Sequence, residues 1–198
     1  MIRTLLIPGL DGSPAPHWQH WWERVDPTAR IVEQKSWSKP CPDQWLTEIA
    51  GAVLVHPGAV LVGHSLGAIA VARVLSQWPQ LNVGGALLVA PAETAHDDRI
   101  AAFGKIPEGP LDVPTIVVAS QNDPWMEQSR AQALAESWDA DFIDMGDAGH
   151  INVESGFGPW PEGRAMRDLL WSLPAMPRRL AAMVRPKAKP QGGLICSA

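Results

Sequence analysis

Short runs of consecutive apolar residues alternate with longer amphipathic stretches along most of the chain. Uninterrupted apolar runs are typical of strands buried on both faces, whereas apolar residues spaced three or four apart are typical of helices. Trp45, Ile49, Ala52 and Val53 form such a helical stripe. The pattern predicts strands at Thr4–Ile7, Arg30–Gln34, Val60–Gly63, Ala86–Ala90, Thr115–Ala119 and Phe142–Met145, and helices at His17–Arg24, Pro42–Val55, Leu66–Trp78, Gln128–Ser137 and Glu162–Trp171.

The alternation of strands and helices predicts an α/β fold, with helices on both faces of a mainly parallel sheet in three α/β/α layers. In such sheets, ligands bind beyond the carboxyl ends of the strands. The informative segments are therefore those that follow the strands, and they read PGLDGS, GHSLG, APAET, SQNDPW and GDAGH. Residues Glu93–Leu111 read as a loop with room for a small helix.

The composition is that of an ordinary globular protein, with 46% hydrophobic and 19% charged residues among 198. A net charge of −5 argues against general nucleic-acid binding. Every charged residue from Pro174 onward is basic. We therefore predict a folded domain over residues 1–173 and a flexible, basic, Pro/Gly/Ala-rich tail over residues 174–198, with docking on an anionic surface as the alternative for the tail.

The cysteines and the apolar runs bear on the compartment. Cys41 and Cys196 lie far apart in sequence and suggest neither a metal-binding pair nor a disulfide framework. The N-terminal apolar run is too short for a secretion signal, and no stretch approaches the ~18 apolar residues of a membrane span. We therefore expect a cytoplasmic protein without membrane insertion.

A serine stands on the sharpest turn that the sequence predicts. Gly63-His64-Ser65-Leu66-Gly67 joins a predicted buried strand to a predicted helix, which is the context that a G-x-S-x-G nucleophile elbow requires. Such a turn exposes the serine hydroxyl above the sheet, and glycines on either side leave room for the neighbouring backbone. The following helix points its N-terminal N–H groups at the serine. We expect Ser65 to be a nucleophile and His64 to be structural.

A serine hydroxyl needs a base, and in this fold the partners follow in the order serine, acid, histidine. His150 follows the last predicted strand, which is where the base belongs. Asp123 lies just beyond the strand at Thr115–Ala119 and is the preferred acid, with Asp144 and Asp147 as rivals. The acid would hold the histidine tautomer and stabilise the imidazolium.

An oxyanion hole requires two backbone N–H donors, and we assign them to Leu66, after the nucleophile, and Leu10, in the loop after the first strand. His17 and His20 have the i, i+3 spacing of metal ligands, but no third ligand is visible, so we expect neither a metal nor a cofactor. The surrounding tryptophans are interpreted as core. His17, Trp125 and Trp160 are candidates for the substrate pocket.

Four segments, LLIPGLDGSPAPHWQHWWE, LVGHSLGA, VVASQNDPW and GHINVESGFGPWPEG, resemble the small, lidless α/β-hydrolase-fold serine hydrolases typified by retinoblastoma-binding protein nine and its bacterial relatives. The resemblance extends over residues 4 to 163. It implies a sheet of five or six parallel strands, a triad of Ser65, Asp123 and His150, and esterase-type activity. The L-x-C-x-E motif of the mammalian member is missing here, so a retinoblastoma-type partner is not expected.

The sequence thus predicts a serine hydrolase that cleaves an ester or related acyl bond of a small molecule. The alternative is a binding or adaptor protein that retains the hydrolase fold without activity. The missing lid insertion favours an open site and small substrates.

Overall fold

The computed structural model describes residues 1–172 of the chain. Six strands and five α-helices alternate along it, with a 3₁₀ turn at Ala101–Phe103 and another at Val153–Ser155. The strands are β1 (Thr4–Ile7), β2 (Ala29–Ile31), β3 (Val60–His64), β4 (Gly85–Val89), β5 (Thr115–Ala119) and β6 (Asp141–Asp144). The helices are α1 (Trp18–Val25), α2 (Pro42–Val55), α3 (Leu66–Gln77), α4 (Gln128–Trp138) and α5 (Pro161–Ser172).

The strands form one sheet in the order β2-β1-β3-β4-β5-β6, and every pair of neighbours is parallel. Ile7 pairs with Gly63, and His64 pairs with Val89, so the carboxyl ends of β1, β3 and β4 lie side by side. The predicted parallel α/β architecture is confirmed. The segments predicted to form the site therefore meet at the end of the sheet where these strands terminate.

Alternate residues of each strand enter two separate cores. On β3, Leu61 belongs to the core that includes residues of α2, α3 and α4, whereas Val60 and Val62 belong to the core that includes residues of α1 and α5. The apolar stripe of α2 behaves as its spacing predicts, since Trp45, Ile49 and Val53 are buried. Helices cover both faces of the sheet. The loops that follow the carboxyl ends of the strands are not covered by them, and these loops carry the candidate site.

Most predicted elements match within one residue, and the differences have local causes. The second strand ends at Ile31 rather than at Gln34, because its pairing with β1 ends where Ile31 faces Leu6. The first helix begins at Trp18, because His17 is its N-cap and accepts from the Gln19 N–H through Nδ1. The last strand lies one residue earlier than predicted.

Two further expectations concern the basic tail and the absence of a membrane span. The predicted basic tail over residues 174–198 lies outside the described residues. Within residues 1–172, every helix is too short or too polar to cross a bilayer.

Candidate active site

Ser65 lies between β3 and α3 in a backbone conformation that residues other than glycine rarely adopt, with φ of 57° and ψ of −124°. A Cβ on Gly63 would lie 2.6 Å from the Ala68 Cα, and one on Gly67 would collide with the carbonyl oxygen of Ile7. Only glycine therefore fits on either side of the serine. This packing of backbone on backbone produces the sharp turn that the sequence predicts.

Ser65, His150 and Asp123 form one chain of hydrogen bonds. The Ser65 Oγ lies 2.9 Å from His150 Nε2, and His150 Nδ1 lies 2.8 Å and 2.9 Å from the two carboxylate oxygens of Asp123. A carboxylate accepts, so Nδ1 carries the proton of the neutral imidazole and Nε2 accepts from the serine hydroxyl. The side chains of His150 and Asp123 are only 7% and 4% exposed, which keeps water from competing for these bonds.

The structure distinguishes Asp123 from its rivals. Asp123 Oδ1 also accepts the backbone N–H of Trp125 at 2.9 Å, which fixes the carboxylate under the imidazole. Asp144 is exposed instead, and hydrogen bonds from Gln121 and the Gly146 N–H lower the pKa of its carboxyl. Asp147 is exposed as well. Of the three acids, only Asp123 contacts His150.

A cavity of about 300 Å³ opens beside Ser65. Leu10, His17 and Trp125 lie in its wall, as expected for residues that border a substrate. The Trp125 indole stacks against the His150 ring with centroids 5.7 Å apart. Trp160 is a correction to the prediction, because this residue is 3% exposed, packs in the core against α1 and does not line the cavity.

Two backbone segments surround Ser65 where an oxyanion would form. Leu66 is the first residue of α3, so its N–H is among those that have no acceptor inside the helix. The loop after β1 lies so close that a Cβ on Gly9 would be 2.8 Å from the Ser65 Cβ. Leu10 follows Gly9 in this loop and lines the cavity. Both predicted donors therefore belong to segments that border the serine.

Three imidazoles lie in a row beside the serine. The ring centroids of His17 and His64 are 4.9 Å apart, and those of His64 and His150 are 5.0 Å apart. Burial, reinforced by His150, lowers the pKa of His17 to about 4. Burial also lowers the pKa of His64 well below its usual value. His17 and His64 are therefore neutral at pH 7, and neither adds positive charge next to His150.

Residues that the sequence analysis did not single out hold the loop around His150. The side-chain oxygen of Asn122 accepts the Gly149 N–H at 2.7 Å, and the Ser155 hydroxyl accepts the His150 N–H at 3.0 Å. Asn122 adjoins the predicted acid in SQNDPW, so its polar character was a usable signal. The sequence gives no such signal for Ser155, because its hydrogen bond with the His150 N–H depends on how the chain folds back after His150.

Comparison with known proteins places the chain in a family. The model of the serine hydrolase family matches residues 4–168. The chain belongs to this family. Among solved structures, this serine hydrolase is similar to a YdeN-like hydrolase of Pectobacterium atrosepticum, with 38% identity, 94% of each chain covered and a TM-score of 0.76. A comparison with curated proteins gave no match.

More distant structures share the fold. The ydeN gene product of B. subtilis is 23% identical, with 87% of this chain and 100% of that chain covered and a TM-score of 0.75. A monoacylglycerol lipase of Paleococcus ferrophilus is 14% identical, with 85% and 93% covered and a TM-score of 0.62. The three layers are those of the α/β-hydrolase fold, and the predicted fold class is confirmed.

Proposed function

We propose that this serine hydrolase cleaves an ester or related acyl bond through an acyl-enzyme on Ser65, with His150 as general base and Asp123 as its orienting acid. The observation that supports this most is the hydrogen-bonded chain from Ser65 Oγ through the imidazole to the carboxylate, placed on a nucleophile elbow. Each atom has the neighbour that its role requires.

The reaction has two halves. In the first, His150 Nε2 takes the Ser65 hydroxyl proton while Oγ bonds to the acyl carbonyl carbon, and a tetrahedral oxyanion forms. The intermediate collapses as the imidazolium returns the proton to the leaving alcohol, which departs and leaves an ester on Ser65. In the second half, His150 deprotonates water, the resulting oxygen attacks this ester, and the acid and the free Ser65 hydroxyl are released.

Electrostatic stabilisation comes from the elements around the serine. The backbone N–H groups of Leu66 and Leu10 are our candidates for the oxyanion hole, and loss of one such donor typically costs about 10²–10³ in turnover. The N-terminus of α3 contributes the positive end of its dipole at the same point. Asp123 stabilises the imidazolium that forms when His150 takes the proton.

The cavity favours small substrates. Its volume of about 300 Å³ is at the lower end of the range for small-molecule sites. Charged side chains, Asp11, Arg99 and Glu154, lie in its wall beside the aromatic ring of Trp125. Such a wall suits a short acyl group better than a long aliphatic chain. We propose a small-molecule acyl substrate, no nucleic-acid partner and a cytoplasmic location, the last on the cysteine usage alone.

Hydrolysis of p-nitrophenyl esters tests the proposal. We expect wild-type protein to release nitrophenol from the acetate faster than from the dodecanoate. Ser65→Ala and His150→Ala should abolish this activity, and Asp123→Asn should reduce it by about 10⁴-fold, because the imidazole then adopts the wrong tautomer. Faster turnover of the dodecanoate would refute the small-substrate proposal. Folded wild-type protein without esterase activity would instead favour the adaptor alternative.

A further inference from the structure

The residue that follows His150 has a strained backbone. Ile151 has φ of 48°, a conformation that a β-branched side chain adopts very rarely, and it is fully buried. Such a conformation persists only when its surroundings fix it. The question is which groups hold Ile151, because they also determine where the neighbouring imidazole of His150 lies.

Two buried aromatic N–H groups bind the carbonyls of Ile151 and of His150 before it. The indole Nε1–H of Trp18 donates to the Ile151 carbonyl at 2.9 Å, and the imidazole Nε2–H of His64 donates to the His150 carbonyl at 2.9 Å. Trp18 is fully buried and His64 is 5% exposed. Since neither carbonyl has ready access to water, each donor would leave an unpaired acceptor behind if it were removed.

The two donors come from rigid parts of the fold. Trp18 begins α1 and also packs edge-on against Trp160, with ring centroids 5.2 Å apart. His64 ends β3, directly before the nucleophile, so it ties the chain segment of His150 to the segment of Ser65. The spacing of 2.9 Å between Ser65 Oγ and His150 Nε2 thus depends on two bonds that lie outside the hydrogen-bonded triad.

We propose that Trp18 and His64 are positioning residues, whose N–H groups hold the carbonyls of residues 150 and 151 and thereby hold the imidazole of His150 against Ser65. This inference rests on the proposed function, since positioning matters only if His150 acts on Ser65. Neither carbonyl takes part in the reaction. Loss of a donor lets the strained Ile151 relax, which moves the ring and lowers the rate of the chemical step.

The chain offers a matched control on the same helix. Trp22 is also fully buried in α1, and its indole N–H donates to the carbonyl of Trp160 at 3.2 Å, away from His150. Trp18→Phe and Trp22→Phe therefore remove the same atoms from the same core. We expect similar losses in thermal midpoint, but a kcat about tenfold lower for Trp18→Phe only, with little change in KM.

The rates must be expressed per functional active site, and titration with a fluorophosphonate gives that number. A merely structural role for Trp18 would reduce the titrated fraction equally in both variants and leave kcat per site unchanged, and that result would overturn the proposal. If wild-type protein does not react with the fluorophosphonate, the proposed function itself fails, which is a different outcome from equal kcat values in the two variants.

A second variant covers the case in which Trp18→Phe does not fold. Replacing Trp18 with 3-benzothienylalanine keeps the bicyclic shape and exchanges the N–H for sulfur. We expect this protein to fold and to show the same reduced kcat. Wild-type kcat in the analogue would overturn the role of Trp18. For His64, Gln places an amide N–H near the position of the ring Nε2 and Phe does not, so kcat should fall further in His64→Phe than in His64→Gln, and equal values would overturn the role of His64.

Discussion

The nucleophile elbow and the base loop (residues 145–156) meet at one hydrogen bond, yet different forces shape them. In the elbow, backbone packs on backbone, and the glycines Gly63 and Gly67 leave no space for a Cβ. In the base loop, side chains that are distant in sequence bind the backbone, as Asn122 binds the Gly149 N–H. Shape in the elbow is therefore set by excluded volume, and shape in the base loop by hydrogen bonds.

The comparison explains how the two halves should respond to change. Adding a methyl group in the elbow should be strongly destabilising, because neighbouring main-chain atoms would have to move to make room for it. A hydrogen-bonded loop loses one contact at a time and should retain its general path. We therefore expect elbow substitutions to affect folding and base-loop substitutions to affect the position of His150.

The largest effect on stability should come from Gly67→Ala. Its methyl group would collide with the Ile7 carbonyl and lie 2.5 Å from the Pro8 carbonyl oxygen. We expect the free energy of unfolding to fall by about 3 kcal/mol or more. The matched control is Gly51→Ala on α2, where nothing lies within 4 Å of the added methyl group and a gain of about 0.5–1 kcal/mol is expected. Equal urea midpoints for the two variants would contradict the account.

The next effect depends on pH and concerns His17, which lies between the two regions. The folded state keeps its pKa at about 4, against 6.5 for the ordinary side chain. Between pH 6.5 and pH 4 the His17 imidazole is protonated in the unfolded chain but neutral in the folded chain. The free energy of unfolding therefore decreases as the pH falls through this range. Between pH 7 and pH 4.5 this one group should remove about 2.5 kcal/mol.

His17→Asn tests this expectation and keeps an oxygen acceptor at the N-cap of α1. Urea unfolding at pH 7 and at pH 4.5 gives the loss for each protein. The variant should lose less than the wild type, while His64 continues to contribute to both. An equal loss would show that His17 does not resist protonation.

A smaller effect should follow Ser155→Ala in the base loop. The substitution removes the acceptor of the His150 N–H, and an unpaired N–H costs about 1–2 kcal/mol. Esterase activity should fall together with stability. Ser76→Ala on the exposed side of α3 is the control and should stay within about 0.5 kcal/mol of wild type. A Ser155→Ala enzyme with wild-type kcat would show that this bond does not position His150.

The smallest effect is expected at the cavity mouth. Arg99 binds Asp11 across the mouth at 3.0 Å, but the two side chains are 47% and 58% exposed. Solvent and salt screen such pairs. Arg99→Gln should leave the urea midpoint unchanged at low and at high salt. A clearly lower urea midpoint at low salt would contradict this and would mean that the pair helps to hold the loop after β1.

The same contrast explains what could be predicted from the sequence. The elbow could be predicted because its cause is local: glycines flank the serine at the junction of an apolar strand and a helix. The positions of Asp123 and His150 after later strands followed from the parallel order of the sheet. The helix α2 and the strand β5 match the prediction residue for residue.

The supports of the base loop could not be predicted in this way. Trp18 was assigned to the core on its surroundings, and burial is correct, but its indole N–H contacts a carbonyl 133 residues away in sequence. Trp160 is a pocket candidate in the sequence because it lies near the predicted site loops, whereas in the structure its ring packs against Trp22. Both contacts join segments that are distant in sequence, and a local sequence pattern does not show which distant segments meet.

The central claim is that Ser65 is an activated nucleophile, and labelling with a fluorescent fluorophosphonate tests it most directly. Peptide mapping by mass spectrometry would identify the modified residue, with Ser65→Ala and His150→Ala as the comparison proteins. The account predicts one phosphonylated site at Ser65 in the wild type and none in either variant. Folded wild-type protein that remains unlabelled, or label on another residue, would contradict it.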